Sequence, residues 1–275
     1  MFENILRAIK FLCQGQFRRV WNEVHVRIYR GAWEVLWLLI LPFRRKGRPQ
    51  PPKGLSRETQ HPVAFESPDH IAPKGTSVNN STNKKFVLYM DAKLHGEFGG
   101  NTLHVMDLGC SGGQMVVDFI KLGWLGVGLE GSDFSLKHRR ANWAHYANTN
   151  LFTSDITKPF QVKLHGQPVK FHLITSWEVM EHIAEPDLAQ VFRNIVNHLE
   201  EGGYYIASTT ETSDIHEGLE LHQTRWPNEQ WRAYLKKNFP ELEYVDVGLA
   251  IYQYVRYNFL HPSFLLYRKK AASAK

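Results

Sequence analysis

Two short patterns carry the residues whose types and spacing could do chemistry. The first is the turn Val105-Met-Asp-Leu-Gly-Cys-Ser-Gly-Gly113, in which an apolar strand runs into glycines and then into a helix. Glycine removes the side chains that would keep a ligand away from the backbone at the carboxyl end of a strand. Asp107 stands at that end, where a carboxylate can accept hydrogen bonds from an ammonium group or a bound water. The turn lacks the Gly-x-Gly-x-x-Gly spacing of dinucleotide sites.

The second pattern is an apolar strand that ends in an acid, Leu125-Gly-Val-Gly-Leu-Glu130, 23 residues beyond Asp107. In doubly wound folds an acid at the end of the second strand can accept hydrogen bonds from both hydroxyls of a ribose. Alone, Glu130 could equally be a carboxylate at the start of a helix, ahead of Ser132 and Asp133. Coupled to the glycine turn, it predicts a site for a ribose-containing ligand.

In this order the residues resemble class I S-adenosylmethionine-dependent methyltransferases, in particular domains of types 11 and 23. The glycine turn and Gly128-Leu-Glu-Gly-Ser132 look like the first two motifs of the family, and Thr153-Ser-Asp-Ile156 is similar to the next, whose acid usually contacts adenine. Segments 171–183 and 200–208 resemble its fourth and fifth strands. The resemblance implies S-adenosylmethionine as the cofactor. The cofactor-binding residues that it implies are Asp107, Gly109, Cys110, Gly112, Gly113, Glu130, Gly131, Ser132, Asp155, Ile156, Ser176 and Trp177.

From Leu103 onward, short apolar runs alternate with amphipathic stretches. The alternation predicts an α/β fold, a Rossmann-like doubly wound parallel sheet with helices on both faces. The family resemblance implies the usual seven-stranded sheet, of which the last strand is antiparallel. The predicted strands are 103–108, 125–129, 171–176, 203–208, 243–249 and 263–268, and the predicted helices are 113–122, 134–147, 187–199 and 228–238.

A third pattern, Glu-x-x-Glu-His, follows the fourth strand of the family with Glu178, Glu181 and His182. Side chains at these spacings share one face of a helix, so they could bind a divalent metal ion. The pattern looks like the metal-binding segment of RNA 3′-terminal 2′-O-methyltransferases. In those proteins a downstream histidine completes the site, and His222 could take that place. Because many metal-free members of the class carry the same pattern, we assign no metal.

The fourth pattern is Leu221-His-Gln-Thr-Arg-Trp-Pro-Asn-Glu-Gln-Trp231, in the connection that faces the substrate in this fold. It resembles segments of methyltransferases assigned to glycan modification, and Trp226 and Trp231 could stack on a sugar ring. In the alternative interpretation Trp231 packs its helix and His222 caps a loop. We expect a general base, because an alcohol is a poor nucleophile at neutral pH. Imidazole titrates near the working pH, so His222 is the first catalytic candidate and His182 the second.

Charge is divided unevenly along the 275 residues. The net charge is +6, yet residues 1–57 hold 12 Lys and Arg against 3 Asp and Glu, whereas residues 58–275 hold 21 against 24. A domain that gripped a phosphate backbone would carry its own basic surface, so nucleic acid is not the expected partner. The two cysteines make no disulfide framework, which indicates a reducing, cytoplasmic compartment.

The N-terminal part predicts a helical extension. A basic amphipathic stretch leads into an apolar run of roughly a dozen residues, whereas a helix that spans a bilayer needs about 20. This extension either packs on the catalytic domain or contacts a membrane peripherally through residues 1–57. In the second case Trp33, Trp37 and leucines enter the lipid boundary and the basic cluster meets anionic headgroups. The predicted units are 1–46 as the helical extension, 47–85 as a linker and lead-in, and 86–275 as the methyltransferase domain.

These patterns predict an S-adenosylmethionine-dependent methyltransferase that modifies an oxygen of a sugar, a glycan or another small hydroxyl-bearing acceptor. Two alternatives stay open. A metal-dependent RNA 3′-terminal 2′-O-methyltransferase would need the metal site and a basic surface. A catalytically inactive, membrane-tethered binding subunit would bind the cofactor without turnover. The intact glycines and Glu130 argue against the inactive subunit.

Overall fold

The apolar runs of the sequence form the strands of one central sheet, with helices packed around it. The computed structural model describes residues 17–44, 52–73, 84–99, 102–245 and 263–271. The helices are α1 Phe17–Arg44, α2 Pro68–Ile71, α3 Lys84–Phe98, α4 Gln114–Lys121, α5 Phe134–Lys137, α6 Trp143–Tyr146, α7 Leu188–His198 and α8 Asn228–Asn238. The strands are β1 Leu55–Glu58, β2 His104–Leu108, β3 Leu125–Glu130, β4 Leu151–Thr153, β5 Gln161–Leu164, β6 Gln167–Pro168, β7 Phe171–Trp177, β8 Leu199–Thr209, β9 Ile215–His216, β10 Leu219–Glu220, β11 Leu242–Tyr244 and β12 Ser263–Lys269.

Seven strands form the central sheet in the order β11-β12-β8-β7-β2-β3-β4. Neighbouring strands from β8 to β4 run parallel, whereas β12 runs antiparallel to both β8 and β11. The strand order changes direction between β2 and β7, so a crevice opens there at the carboxyl ends of the parallel strands. The predicted seven-stranded, doubly wound sheet with its last strand antiparallel is confirmed.

Alternate residues of the strands face opposite layers, because successive side chains of a strand point to its two sides. Val105 and Leu173 pack into one hydrophobic cluster with side chains of α3 and α4. Met106 and Ile174 pack into a second cluster with side chains of α7 and α8. All four residues are fully buried, so helices cover both faces of the sheet.

The prediction of one continuous helix at 134–147 is wrong. The chain forms two one-turn helices there, α5 and α6, and Arg139 between them has a φ angle of 48°, which a continuous helix excludes. The break brings α6 back to the glycine turn, where Trp143 Nε1 donates a hydrogen bond of 2.6 Å to the carbonyl oxygen of Ser111. A buried carbonyl group needs a hydrogen-bond donor. The chain therefore breaks the helix that its sequence pattern predicts, and Trp143 supplies that donor.

Other predicted elements differ from the structure mainly at their ends. The strand expected at 203–208 already begins at Leu199, because the two glycines of the turn lie inside β8. Of the strand expected at 243–249, β11 ends at Tyr244, and residues 246–262 lie outside the described part of the chain. Residues 1–16 of the expected N-terminal helix also lie outside it.

Residues 52–73, in the stretch predicted as a linker, fold against the sheet domain. β1 pairs antiparallel with β5, which also pairs with β6 in a small three-stranded sheet. Two backbone hydrogen bonds then hold the segment over the carboxyl ends of the central strands. Ala64 N–H donates to the carbonyl oxygen of Gly131 at 2.9 Å, and Asp155 N–H donates to that of His61 at 3.0 Å. This segment therefore forms a wall as well as a connection.

Helix α1 packs on α3 along one face. Trp37 is 4% exposed and joins the cluster of α3 and α4. Lys84 Nζ lies 4.9 Å from the centre of the Trp37 ring, and Lys85 Nζ lies 5.6 Å from the centre of the Trp33 ring. The expectation that Trp37 enters lipid is therefore wrong, because it is buried in protein. Among the described residues, no helix is long and apolar enough to cross a bilayer.

The other face of α1 leaves apolar side chains in solvent. Their exposed fractions run from 37% to 91%. The residues concerned are Ile28, Val35, Leu36, Leu38, Leu39 and Phe43. The extension was expected either to pack on the domain or to contact a lipid surface. These two interpretations concern opposite faces of one helix.

Candidate functional site

A cavity of about 1120 Å³ lies at the carboxyl ends of the parallel strands. The loops after β2, β3, β4, β7 and β8 line it, and the segment 61–69 closes one side. Parallel strands end at the same edge of a sheet, so residues that are far apart in the sequence meet here. The predicted catalytic and cofactor-binding residues line this cavity or lie buried next to it.

The register of β2 and β3 sets Glu130 beside the glycine turn, since Leu108 pairs with Leu129. Ser111 N–H donates to Glu130 Oε2 at 2.7 Å, and Ser132 N–H donates to Oε1 at 3.4 Å. The carboxylate is thereby fixed by backbone groups of both loops while it lines the cavity. This is the position in which it can accept hydrogen bonds from ribose hydroxyls.

A residue with a side chain would be strained at the position of Gly109. Its φ angle is 69°, a left-handed conformation that favours glycine, and an added Cβ would lie 2.4 Å from Val179 Cγ2. Gly109 lines the cavity, and Val179 packs closely beside it.

Two carboxyls of the site are held in an unfavourable environment. Burial raises the pKa of Glu130 to about 7, although backbone hydrogen bonds oppose the rise. Burial also raises the pKa of Asp107 to about 7, although the hydroxyl of Thr175 donates a hydrogen bond of 2.8 Å to it. Such acids gain most from a ligand that brings hydroxyl donors or positive charge.

Seven of the twelve predicted cofactor-binding residues line the cavity, and five lie buried beneath its surface. The lining residues are Gly109, Glu130, Gly131, Ser132, Asp155, Ile156 and Trp177. The buried residues are Asp107, Cys110, Gly112, Gly113 and Ser176. Ser176 Oγ, for example, shares a hydrogen bond of 2.8 Å with the Tyr205 hydroxyl, so it braces the sheet below the cavity.

The two predicted catalytic histidines meet in the same cavity, although 40 residues separate them. Their ring centres lie 4.7 Å apart, edge to face. Thr224 ties the two loops together. Its N–H donates to the carbonyl oxygen of Glu181 at 2.9 Å, and its hydroxyl donates to that of Ile183 at 2.7 Å. This crossing places His222 against His182.

Each imidazole has an oxygen close to its Nδ1 atom. His182 Nδ1 lies 2.8 Å from Asp69 Oδ2, and His222 Nδ1 lies 2.5 Å from the carbonyl oxygen of Thr212. Burial lowers the pKa of His182, but the contact with Asp69 and nearby carboxylates outweigh burial, so its pKa is raised. Nitrogen Nε2 is the remaining polar atom of each ring.

Three of the four residues considered as metal ligands are brought together. Glu181, His182 and His222 each place one potential ligand atom within 4.8 Å of the others. Glu178 is engaged elsewhere, because the hydroxyl of Ser208 donates a hydrogen bond of 2.6 Å to its Oε1. Carboxylate and imidazole are ligands of divalent metal ions, so these three residues could hold a cation.

The expectation that Trp226 and Trp231 stack on an acceptor is wrong. Trp231 is fully buried in the hydrophobic core, and Trp226 packs against it with ring centres 4.9 Å apart. Trp226 Nε1 also donates a hydrogen bond of 2.7 Å to Glu185 Oε1. Neither ring lines the cavity. The interpretation of Trp231 as a packing residue of its helix is correct.

Sequence reasoning missed the contribution of segment 61–69, including Asp69. Ser67-Pro-Asp69 carries the local signal of a helix start, because proline suits the first turn of a helix, and α2 begins at Pro68. That signal predicts a helix, but nothing in the spacing connects it with a motif more than 100 residues further on.

A doubly wound sheet with an antiparallel last strand, a glycine turn and an acid at the end of the next strand are features of class I methyltransferases. The sequence profile described as "Methyltransferase domain" matches residues 56–246, more than half of the chain. The chain therefore belongs to this methyltransferase family.

Known proteins are similar to parts of the chain. A ubiquinone biosynthesis O-methyltransferase of Glaesserella parasuis serovar 5 (strain SH0165) is 30% identical over 123 residues, which are 44% of this chain and 50% of that protein. The chain thus spans about half the length of this relative. A S-adenosylmethionine-dependent methyltransferase from Clostridium acetobutylicum ATCC 824 superposes with a TM-score of 0.50 at 16% identity, over 70% of this chain and 94% of that one. This likeness shows the fold.

The raised pKa of Glu130 predicts a dependence of stability on pH. The folded chain keeps the Glu130 proton until about pH 7, whereas the unfolded chain loses it near 4.5, so stability is lost as pH rises across this window. Glu130→Gln removes that loss. We expect the difference in melting temperature between Glu130→Gln and the parent chain, without ligand, to increase from about pH 5 to about pH 8. A constant difference would contradict the assignment.

Proposed function

We propose that the protein transfers a methyl group from S-adenosylmethionine to a hydroxyl oxygen of a small acceptor. The observation that carries the proposal is the meeting of His182 and His222 in the cavity that Glu130 also lines. The relative from Glaesserella is named as an O-methyltransferase, which supports oxygen as the atom methylated, over the 123 residues in which the two chains match.

We place the cofactor along the strand ends from the glycine turn to Asp155. Glu130 accepts hydrogen bonds from the ribose hydroxyls, and Asp155 and Ile156 receive the adenine at the end of β4. Gly109 and Trp177 flank the methionine part. The remaining residues of the proposed cofactor site, lining or supporting it, are Asp107, Cys110, Gly112, Gly113, Gly131, Ser132 and Ser176.

The protein's own contribution to the reaction is position and proton transfer. When bound, S-adenosylmethionine supplies an electrophilic methyl carbon, to which the acceptor oxygen bonds as the carbon–sulfur bond breaks toward sulfur. An imidazole of the His222 and His182 pair accepts the hydroxyl proton at Nε2. Fixing both reactants in one cavity converts an encounter into an oriented step.

The charge of the cavity favours an uncharged acceptor. Among the described lining residues Lys158 is the one lysine or arginine, and it lies 3.6 Å from Asp187. The lining acids that are not among the proposed cofactor residues repel phosphates and carboxylates. These acids are Glu66, Asp69, Glu178, Asp187 and Asp214. A sugar, a glycan or another hydroxyl compound without anionic groups fits, although Trp226 and Trp231 lie outside the cavity lining and so give no support for a sugar.

A metal-dependent RNA 3′-terminal 2′-O-methyltransferase is the second candidate. The cluster of Glu181, His182 and His222 favours it, because the three potential ligand atoms lie within 4.8 Å of one another. The acidic lining of the cavity opposes it, since an RNA terminus brings phosphates.

The activity prediction uses labelled methyl groups. We expect the full chain to label a fraction of small hydroxyl compounds, glycans or lipids, and His222→Asn or His182→Asn to lower kcat by about 10²–10⁴-fold, the contribution of a general base. His216→Asn on β9, outside the cavity lining, is the matched control and should act as the parent chain does.

Two outcomes of the same assay redirect the proposal. Labelling of RNA that a chelator abolishes supports the metal-dependent candidate. Binding of S-adenosylmethionine with no labelling in any pool supports an inactive binding subunit.

We also propose that α1 rests on the surface of an anionic membrane at the cytoplasmic side. Its exposed face carries Leu38 and Leu39, which are 66% and 62% exposed, and Phe43 near its end, which is 91% exposed. The basic residues Arg44-Arg-Lys46 follow directly in the sequence. Apolar side chains in the lipid boundary and cations at anionic headgroups are the two contributions that hold interfacial helices.

The membrane prediction compares two exposed apolar positions. We expect the full chain to co-sediment with vesicles that contain phosphatidylserine, and Leu38→Glu/Leu39→Glu to weaken this binding at least about tenfold, because two leucines no longer leave water. Ile215→Glu on β9 is the control, since Ile215 is also 66% exposed. Equal loss in both variants, or no sedimentation of the parent chain, would refute the contact.

A further inference from the structure

A buried amide on α7 holds the loop that follows β4. Asn194 is 3% exposed and lies outside the cavity lining. Its Nδ2 donates two hydrogen bonds of 2.9 Å, one to the carbonyl oxygen of Ile156 and one to that of Lys158. Both of these residues line the cavity, at the end where the proposed function places the adenine. Because an amide nitrogen has two N–H donors, the loop takes up the whole donor capacity of Asn194.

The neighbours of Asn194 fix the direction in which its amide faces. Gln190, one turn earlier on α7, donates from Nε2 to Asn194 Oδ1 at 2.9 Å. A rotated amide would set its oxygen against two carbonyl oxygens, so the donors must point at the loop. An unbonded amide in the protein interior is costly, and Asn194 avoids this cost through these three hydrogen bonds. The loop after β4 is thereby attached to a rigid helix.

One peptide group connects Asn194 with Asp155. The peptide between Ile156 and Thr157 is trans, so its carbonyl and its N–H point to opposite sides. Asn194 binds the carbonyl of this peptide, and the N–H of Thr157 donates to Asp155 Oδ1 at 2.9 Å. The hydroxyl of Thr157 donates to the same oxygen at 2.6 Å. The orientation of the Asp155 carboxylate therefore depends on the orientation of a peptide that Asn194 holds.

The geometry points to Asn194 as a positioning residue for the recognition of the nucleobase. This inference rests on the proposed function, which places the adenine of S-adenosylmethionine beside Asp155. Asn194 holds the Asp155 carboxylate where it accepts a hydrogen bond from the amino group of adenine. An ionised carboxylate has no donor, so it distinguishes adenine from hypoxanthine, which carries a carbonyl oxygen in place of that amino group. In this role Asn194 touches neither the base nor the acceptor.

The test compares the binding of S-adenosylhomocysteine and S-inosylhomocysteine to the full chain by titration calorimetry. We expect the parent chain to prefer the adenine compound at least about tenfold, because a carbonyl oxygen that faces a carboxylate leaves a hydrogen bond unmade. Asn194→Leu keeps the size of the side chain but removes both donors, and should lower this preference at least about threefold. A role in the fold alone would weaken both compounds equally. An unchanged preference in Asn194→Leu would therefore overturn the inference.

The path through the carboxylate is tested in the background of Asp155→Ala. This substitution should abolish the preference for the adenine compound. Adding Asn194→Leu should then have no further effect on the preference, because residues that act as a unit are not additive. A preference that survives Asp155→Ala and still falls when Asn194→Leu is added would contradict the inference, since Asn194 would then act without the carboxylate.

The matched control is Asn197→Leu, at an exposed position of the same helix. It should leave the preference as it is in the parent chain. If the melting curve shows that Asn194→Leu is unfolded, Gln190→Leu takes its place, because it removes the hydrogen bond that orients the amide. We expect Gln190→Leu to lower the preference about twofold or more, and no change in a folded Gln190→Leu chain would overturn the inference.

The binding data separate this inference from the proposed function. If the parent chain binds neither compound, the proposed cofactor site is wrong and the role of Asn194 is wrong with it. If the parent chain binds and prefers S-adenosylhomocysteine while the folded Asn194→Leu chain keeps the same preference, the cofactor site stands and the role of Asn194 alone is refuted.

Discussion

The parallel pairing of β2 with β3 is the constraint on which the site depends. It sets the glycine turn and Glu130 side by side, so that the N–H of Ser111 reaches the carboxylate at 2.7 Å. A slip of one residue would turn Glu130 to the other face of the sheet, because side chains alternate along a strand. The buried carboxylate is costly in the absence of a ligand, as its raised pKa shows. The ligand-free fold is thus less stable because it holds a buried carboxylate in the place where a ligand would bind it.

A second set of contacts closes the cavity around this centre. Backbone hydrogen bonds fasten segment 61–69 over the strand ends, and Thr224 ties the loop of His222 to the loop of His182. Because these ties join stretches from three parts of the chain, the acceptor side exists only in the folded domain. The same wall that narrows the cofactor side delivers Asp69 to the acceptor side. The segment therefore closes the cavity and brings a carboxylate close to one of its histidines.

The sequence predicted the sheet well, and it predicted which residues of β2 and β3 meet at the strand ends, because both follow from local patterns. Glycines at a strand end and the acid of β3 need only the register of neighbouring strands. On the acceptor side, the sequence singled out His182 and His222 but not segment 61–69, which lies beside them. Contacts such as Asp69 with His182 depend on how distant segments pack, and no periodicity encodes them. The split between α5 and α6, and the burial of Trp231, have the same origin, since buried polar groups and core packing prevail over local pattern there.

A crystal structure of the full chain with S-adenosylhomocysteine tests the central claim most directly. The account predicts both ribose hydroxyls within hydrogen-bonding distance of the Glu130 carboxylate, the adenine beside Asp155 and Ile156, and the sulfur facing His182 and His222. A nucleoside bound elsewhere, with Glu130 bonded to backbone amides alone, would contradict the account.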